Sequence, residues 1–369
     1  MKQWIIAAAA AAALALAPAF AQIVIGQTAG FSGPVAAGVK ETTDGARLWI
    51  DHINAKGGVN GQKIELISMD DKFEPPLAKA NARVLIEEKN VVALFLNRGT
   101  PHSEAILPLL QANGVPLIGP STGAMVLHRP VQKYVFNVRS TYQREAEKAV
   151  THLHTMGVTR IVIVHADDSF GLDGVEGANK GLVKAGIQAA AVIKADRAKP
   201  DYQQIIPVIL DKQAQAVLWI ASGNAVGDGV KALRAAGSAA QVVTLSNNAS
   251  TGFIKSLGSV ARGVIVTQVF PSERSAAYGL VKDAADLAKA KGQGELSPAM
   301  LEGFAAARVL VEGLRRAGPK VTRQSLEAAL EGMKKFDVGG LELNYSPDDH
   351  TGLDFADLSI IGQDGKFRR

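Results

Sequence analysis

The sequence predicts an α/β protein of two doubly wound lobes. Three observations predict it. Short β-branched runs alternate with longer amphipathic ones between residues 23 and 118. The same alternation restarts near residue 160 and continues to 269. The last hundred residues are mainly helical, with too little strand to make a third domain. Strands that alternate with helices give parallel sheets covered on both faces, and two restarts of similar size give two such sheets.

Each element has its own signal. Residues 23–26 (Ile-Val-Ile-Gly) read as a first strand. A Gly/Ser/Pro loop at 30–34 leads into a helix over 39–55, which the turn cluster Gly57-Gly58-Val59-Asn60-Gly61 ends. Residues 64–69 alternate as a second strand, and Ala80, Val84 and Leu85 stand at helical spacing within 76–88. A buried strand at 91–96, a helix through 111 and a strand at 115–118 complete the first unit. The second unit has strands at 160–164, 189–193, 217–220, 242–245 and 264–269, with helices over 171–185, 202–210 and 226–236 between them. Helices follow over 276–291, 298–317 and 322–331, then short strands at 341–343 and 358–361. Ser297 before Pro298 is an N-cap followed by an N1 proline. These late helices read as a return to cover the first lobe, which requires more than one crossing between lobes.

The first residues read as an export signal. Lys2 gives a positive start, residues 4–17 are an unbroken apolar run, Pro18 breaks it, and Ala19-Phe20-Ala21 is a small-x-small cleavage site, with cleavage expected after Ala21. The run is shorter than the roughly 20 residues that span a bilayer; an uncleaved anchor is the competing reading. The chain has no cysteine, which excludes disulfides, a thiol nucleophile and a cysteine zinc site. A net charge of +5 is mildly basic. The charges are interleaved, as in Glu145-Ala146-Glu147-Lys148 and Lys282-Asp283, and read as solvated helix faces rather than as a nucleic-acid surface.

In open parallel sheets, ligands bind beyond the carboxyl ends of the strands, beside helix N-termini that favour anions. That rule selects the loops at 31–34, 97–100, 121–123, 167–171, 222–224 and 246–248, all rich in Gly, Ser, Thr or Asn. Ordinary caps and turns use the same residue types. Arg98 and Arg139 are candidates to pair with a ligand carboxylate, or else to make salt bridges at a lobe edge. Tyr142 and Phe170 are candidate apolar walls, or core. The first loop, Gly30-x-x-Gly33, lacks the start of a dinucleotide fingerprint, no Gly-Lys-Ser/Thr phosphate loop occurs, and no nucleophile elbow is expected. His152 and His154 stand two apart on a helix and do not share a face. Asp70-Asp71, Asp167-Asp168 and Asp348-Asp349 read as turn or cap residues, and His165 as packed. No metal, cofactor or catalytic residue is expected.

Together these motifs resemble a known family. Gly33-Pro34, Gly45-Ala46, the run Ile53-Asn54-Ala55-Lys56-Gly57-Gly58-Val59-Asn60-Gly61 and Asp70-Asp71 resemble the opening of the leucine/isoleucine/valine-type periplasmic solute-binding proteins of ABC transporters. Residues 114–122, Asp168-Ser169-Phe170-Gly171 and Gly263-Val264 extend the likeness. The resemblance implies the type I periplasmic binding fold: two Rossmann-like lobes joined by a three-strand hinge, with crossings near 139–142, 268–271 and 345–353. It implies a first lobe of residues 22–140 and 271–346 and a second of 141–270 and 347–369. It places ligand contacts at Thr100, Ser121, Thr122 and Gly123 from the first lobe, and at Phe170, Asn224 and the region of Ser246 and Asn247 from the second. Relatives that bind amino acids carry an acidic residue for the ligand ammonium; that position falls near Ser246, Asn247 and Asn248, none of which is acidic. The implied function is capture of a carboxylate-bearing solute, an amino acid or another organic acid, by a periplasmic monomer that serves permease subunits. The alternative is a sensor that presents the solute to a membrane receptor.

Overall fold

The computed structural model describes residues 22–369. The apolar run at 4–17 and the expected cleavage site lie outside the described residues. Among those described, no helix is long and apolar enough to cross a membrane.

The first sheet contains β1 (Ile23–Ala29), β2 (Ile64–Asp70), β3 (Ala93–Phe95), β4 (Leu117–Ile118) and β5 (Val135–Phe136), in the order β2-β1-β3-β4-β5. All its pairings are parallel. The second contains β6 (Ile161–Ala166), β7 (Ala191–Ala195), β8 (Ala216–Ile220), β9 (Gln241–Thr244) and β10 (Ile265–Gln268). Its parallel part runs β7-β6-β8-β9-β10, the same order as the first sheet, and antiparallel β13 (Asp357–Ile361) and β14 (Phe367–Arg368) extend it beyond β10. β11 (Phe336–Asp337) and β12 (Glu342–Leu343) form a separate ribbon. In each parallel sheet the order reverses beside the first strand, which opens a crevice at the carboxyl ends.

Helices α1 (Ala36–Ala55), α2 (Pro75–Arg83) and α3 (Thr100–Asn113) cover the first sheet. A π-turn, Val84–Glu88, follows α2, where the apolar spacing reads as one continuous helix. The second sheet is covered by α4 (Tyr142–Thr155), α5 (Ser169–Ala185), α6 (Tyr202–Asp211), α7 (Asn224–Ala235) and α8 (Thr251–Leu257). The late helices α9 (Gly279–Ala290), α10 (Pro298–Arg316) and α11 (Arg323–Glu331) return to the first sheet. There Leu280, Leu301, Phe304 and Leu326 share one core with Ile23, Ile25 and Phe95. Separate cores around Trp219 and around Leu218 flank the second sheet.

The chain passes between the lobes three times: after β5, after β10 and before β13. The first and third passages run side by side. Asn137 N–H donates to His350 O at 3.0 Å, and Leu353 N–H to Val138 O at 2.9 Å. Tyr345 and Leu353 still belong to the first core, so the third passage reaches the second sheet just before Asp357.

Candidate ligand-binding cleft

The loops that follow β1, β3 and β4 meet those that follow β6, β8 and β9. In the second lobe, two asparagines tie neighbouring loops together. Asn247 Nδ2 donates to Ala221 O at 3.1 Å and to Ser222 Oγ at 3.0 Å. Asn248 Oδ1 accepts from Gly223 N–H at 2.8 Å. In the first lobe, Thr100 and Thr122 share a 2.7 Å hydroxyl–hydroxyl bond, and Ser121 Oγ accepts from Arg98 Nη1 at 3.1 Å. Arg98 then spans the gap, and its Nη2 donates to the Asn247 carbonyl at 2.5 Å.

The two candidate arginines have different surroundings. Arg139 lies where the chain first leaves the first lobe and is 1% exposed. Its Nη2 donates to Glu145 Oε1 and to Ser246 Oγ, each at 2.5 Å, and its Nη1 stands 3.6 Å from Glu302 Oε2. Burial pulls its pKa down, but Glu302, Tyr142 and Glu145 more than offset this and hold it above the ordinary range. Its guanidinium also lies over the Tyr142 ring, 4.7 Å from the centroid. Glu145 is wholly buried, which corrects its reading as part of a solvated face. Its Oε2 accepts from Ser246 N–H at 2.9 Å and from the Thr267 hydroxyl, so α4, β10 and the loop after β9 converge on one carboxylate. Such a buried pair survives only because every partner is present. Arg98, 5% exposed, has no carboxylate partner. Burial lowers its pKa; Tyr142 and Glu302 pull it part of the way back, and Arg139 and Arg197 lower it again.

Two chambers lie between the lobes. An inner cavity of about 260 Å³ is lined by Gly33, Gly38, Arg98, Asn224, Asn247 and Phe253, among others. An outer one of about 680 Å³ is lined by Phe73, Asp168, Phe170, Arg197, Tyr202 and Asp228, among others. Pro34 and Asn224 border both. Of the residues singled out in the sequence, Arg98, Asn224, Asn247 and Phe170 therefore line a chamber. Thr100, Ser121, Thr122, Tyr142 and Ser246 are buried behind these walls. Gly123 sits at the first passage between lobes, where its carbonyl accepts from Tyr142 N–H at 2.8 Å. Tyr142 and Phe170 pack edge to face, with centroids 4.8 Å apart.

The lobes touch at several points that the sequence does not signal. A Cβ on Gly223 would come within 2.0 Å of Pro34 O, and one on Gly252 within 2.3 Å of Ala37 Cβ. Glu41 on α1 accepts from Thr251 N–H at 3.0 Å and from Gly252 N–H at 2.7 Å, capping α8 from the opposite lobe. Ser169 Oγ donates to Glu104 at 2.5 Å. Arg197 lies 4.3 Å from the centroid of the Phe73 ring and pairs with Asp168, the N-cap of α5. Asp70 and Asp71 accept from turn N–H groups of Lys72 and Phe73, and Asp349 from that of Thr351. His165 is buried.

Gly119-Pro120-Ser121-Thr122-Gly123 does fit the string of a nucleophile elbow, which corrects the expectation that the chain carries none. The surroundings do not fit. The Ser121 hydroxyl bonds to Arg98 rather than to an imidazole, and β4 is followed by a short 3₁₀ turn at Met125–Leu127 instead of a helix.

A family model described as periplasmic binding protein matches residues 22–356. The Leu/Ile/Val-binding protein homolog 3 of Brucella melitensis is 26% identical over 335 residues, covering 89% of this chain and 88% of that protein. A crystal structure of a substrate-binding periplasmic protein from Ralstonia solanacearum superposes with a TM-score of 0.86 at 29% identity, covering 94% of this chain and 99% of that one. A possible leucine/isoleucine/valine-binding protein from Rhodopirellula baltica gives 0.89 at 27%, covering 96% and 98%. The repeated sheet order, the three passages and the cleft between strand ends agree with these likenesses: the chain belongs to the periplasmic binding protein family, among its Leu/Ile/Val-type members.

Proposed function

We propose that the chain is the periplasmic solute-capturing component of an ABC importer, and that it works by hinge closure rather than by catalysis. The observation that carries this reading is Arg98: a buried guanidinium, without a carboxylate partner, that reaches from one lobe to the backbone of the other beside a cavity. A carboxylate-bearing solute held by the first lobe would complete that charge, and the second lobe would shut over it. Contacts made only in the shut form shift the population toward closure. The shut monomer would then be the form that permease subunits recognise. A micromolar solute needs about 8 kcal/mol, which several charge-assisted hydrogen bonds at about 1.5–3 kcal/mol each can supply.

Thr100, Ser121 and Thr122 support the floor of the site by fixing Arg98 and the loop after β4. Mass spectrometry of the solute carried through native purification names the ligand. Calorimetry with that solute then tests the site. Thr100→Ala with Ser121→Ala removes the hydroxyls that hold Arg98 and the loop after β4 in place, near 1 kcal/mol each, so affinity falls by up to roughly 30-fold through misplacement of Arg98 while the melting temperature stays within a few degrees. Unchanged affinity in the double variant would mean that the solute binds elsewhere.

A further inference from the structure

Resting on that reading, we infer that the captured solute is a carboxylate whose second polar group is a neutral hydroxyl or amide rather than a charged amine. The inner cavity has one charged lining group, Arg98, and no acidic one. Two of the five guanidinium donors of Arg98 are occupied, and no carboxylate is in direct contact with it. The carboxylates around the cleft are engaged elsewhere: Glu145 with Arg139, Ser246 and Thr267, Glu302 beside Arg139, Glu41 with the first turn of α8, and, in the outer chamber, Asp168 with Arg197 and Asp228 with Lys231. Glu302 Oε1 has no hydrogen-bond partner, but Glu302 does not line the cavity. An α-ammonium placed beside Arg98 would meet a like charge and no counter-charge, a desolvation that a small cavity cannot offset.

The cavity does offer neutral acceptors, on Asn224 and Asn247 among others. Asn247 lines it, and the two bonds made by Nδ2 fix the amide orientation and leave Oδ1 buried without a partner. Neutral oxygens satisfy a hydroxyl or an amide N–H, but they leave the charge of an ammonium uncompensated. At about 260 Å³ the chamber lies below the roughly 300–1,000 Å³ of drug-sized sites and suits a small metabolite.

Calorimetry at pH 7 on the full mature chain, freed of carried solute, tests this with pairs that differ only in hydroxyl against ammonium. These are L-lactate and L-alanine, L-2-hydroxy-4-methylpentanoate and L-leucine, and L-3-phenyllactate and L-phenylalanine. The expected result is at least one hydroxy acid bound tenfold or more tighter than its amino partner. Arg98→Met should weaken that binding at least 100-fold. Asn247→Asp, which puts a carboxylate in the cavity, should move the hydroxy-to-amino ratio at least tenfold toward the amino acid, a change that a merely structural Asn247 would not cause. An amino acid bound as tightly as its hydroxy partner, or tighter, overturns the inference and leaves solute capture intact. If no pair binds, the mass of the carried solute decides. An amine-free carboxylate supports the inference, an amine or an uncharged molecule overturns it, and no solute at all overturns solute capture itself.

Discussion

Gly252→Ala tests closure with a single carbon. Residue 252 lies in the first turn of α8, facing α1 across the cleft, and the added Cβ would sit 2.3 Å from Ala37 Cβ. Carbon atoms settle at about 3.5–4.0 Å, so the two helices must part there by at least roughly 1.2 Å. The Glu41 bonds to Thr251 and Gly252, now 3.0 and 2.7 Å, would stretch to about 4 Å, beyond the range of a hydrogen bond. Two charge-assisted bonds are worth about 1.5–3 kcal/mol each. With part regained from water, the shut form loses about 2–4 kcal/mol, which is roughly 30- to 1,000-fold in affinity. Alanine favours the helix over glycine by up to about 1 kcal/mol, so the ligand-free melting temperature should hold or rise. Calorimetry and thermal melts on the same variant separate the two effects, and small-angle scattering should show a liganded form less compact than wild type. Wild-type affinity in Gly252→Ala would refute the idea that binding brings α1 and α8 together.

Two further outcomes follow from the buried charges. Arg139→Met strands Glu145 and Glu302 without a counter-ion and should cost about 3–5 kcal/mol, read by calorimetry as a fall of roughly 6–20 °C in Tm; adding Glu145→Gln should recover part of it. Burial lifts the Asp173 carboxyl to about 6. The folded state therefore binds that proton more tightly than the unfolded chain, the penalty is full above about pH 6, and stability should rise as pH falls from 7 toward 5. Asp173→Asn should shrink the difference in Tm between pH 5 and pH 7, and an identical pH profile would show that Asp173 is not the group that titrates.

The doubly wound architecture was legible because it repeats over long segments. Most strands of the two parallel sheets carry or directly follow β-branched residues, as Val91-Val92 before β3 and Val115 before β4, and the helices between them carry a clear apolar stripe. β5, β11 and β14, of two residues each, are too short to show a period. α8 hides in a seven-residue stretch that reads as loop. The loops around the cleft were legible through the strand-end rule, but which of their side chains reach the cavity was not. Glu145 shows the limit. In Glu145-Ala146-Glu147-Lys148 nothing separates the first glutamate from its neighbours, yet it is the one drawn inward. What draws it is Arg139, Ser246 and Thr267, groups between six and 122 positions away along the chain. Arg98 and Arg139 looked equivalent for the same reason; what distinguishes them is direct pairing with Glu145 and with Glu302, the latter far along the chain on α10, which only Arg139 has.

The interleaving of the two lobes also bears on how the molecule is made. The face of β1 that carries Ile23 and Ile25 is sealed by Leu301, Phe304 and Leu310, residues that leave the ribosome more than 270 positions later. Until then α1 alone, through Ala46, Leu48, Ile50 and Ile53, covers that side, and an entire second lobe must be threaded out before the rest of the cover arrives. A chain stalled or truncated ahead of α10 would thus be a half-dressed sheet prone to sticking to its neighbours, which makes the carboxyl-terminal third the part that this protein can least do without.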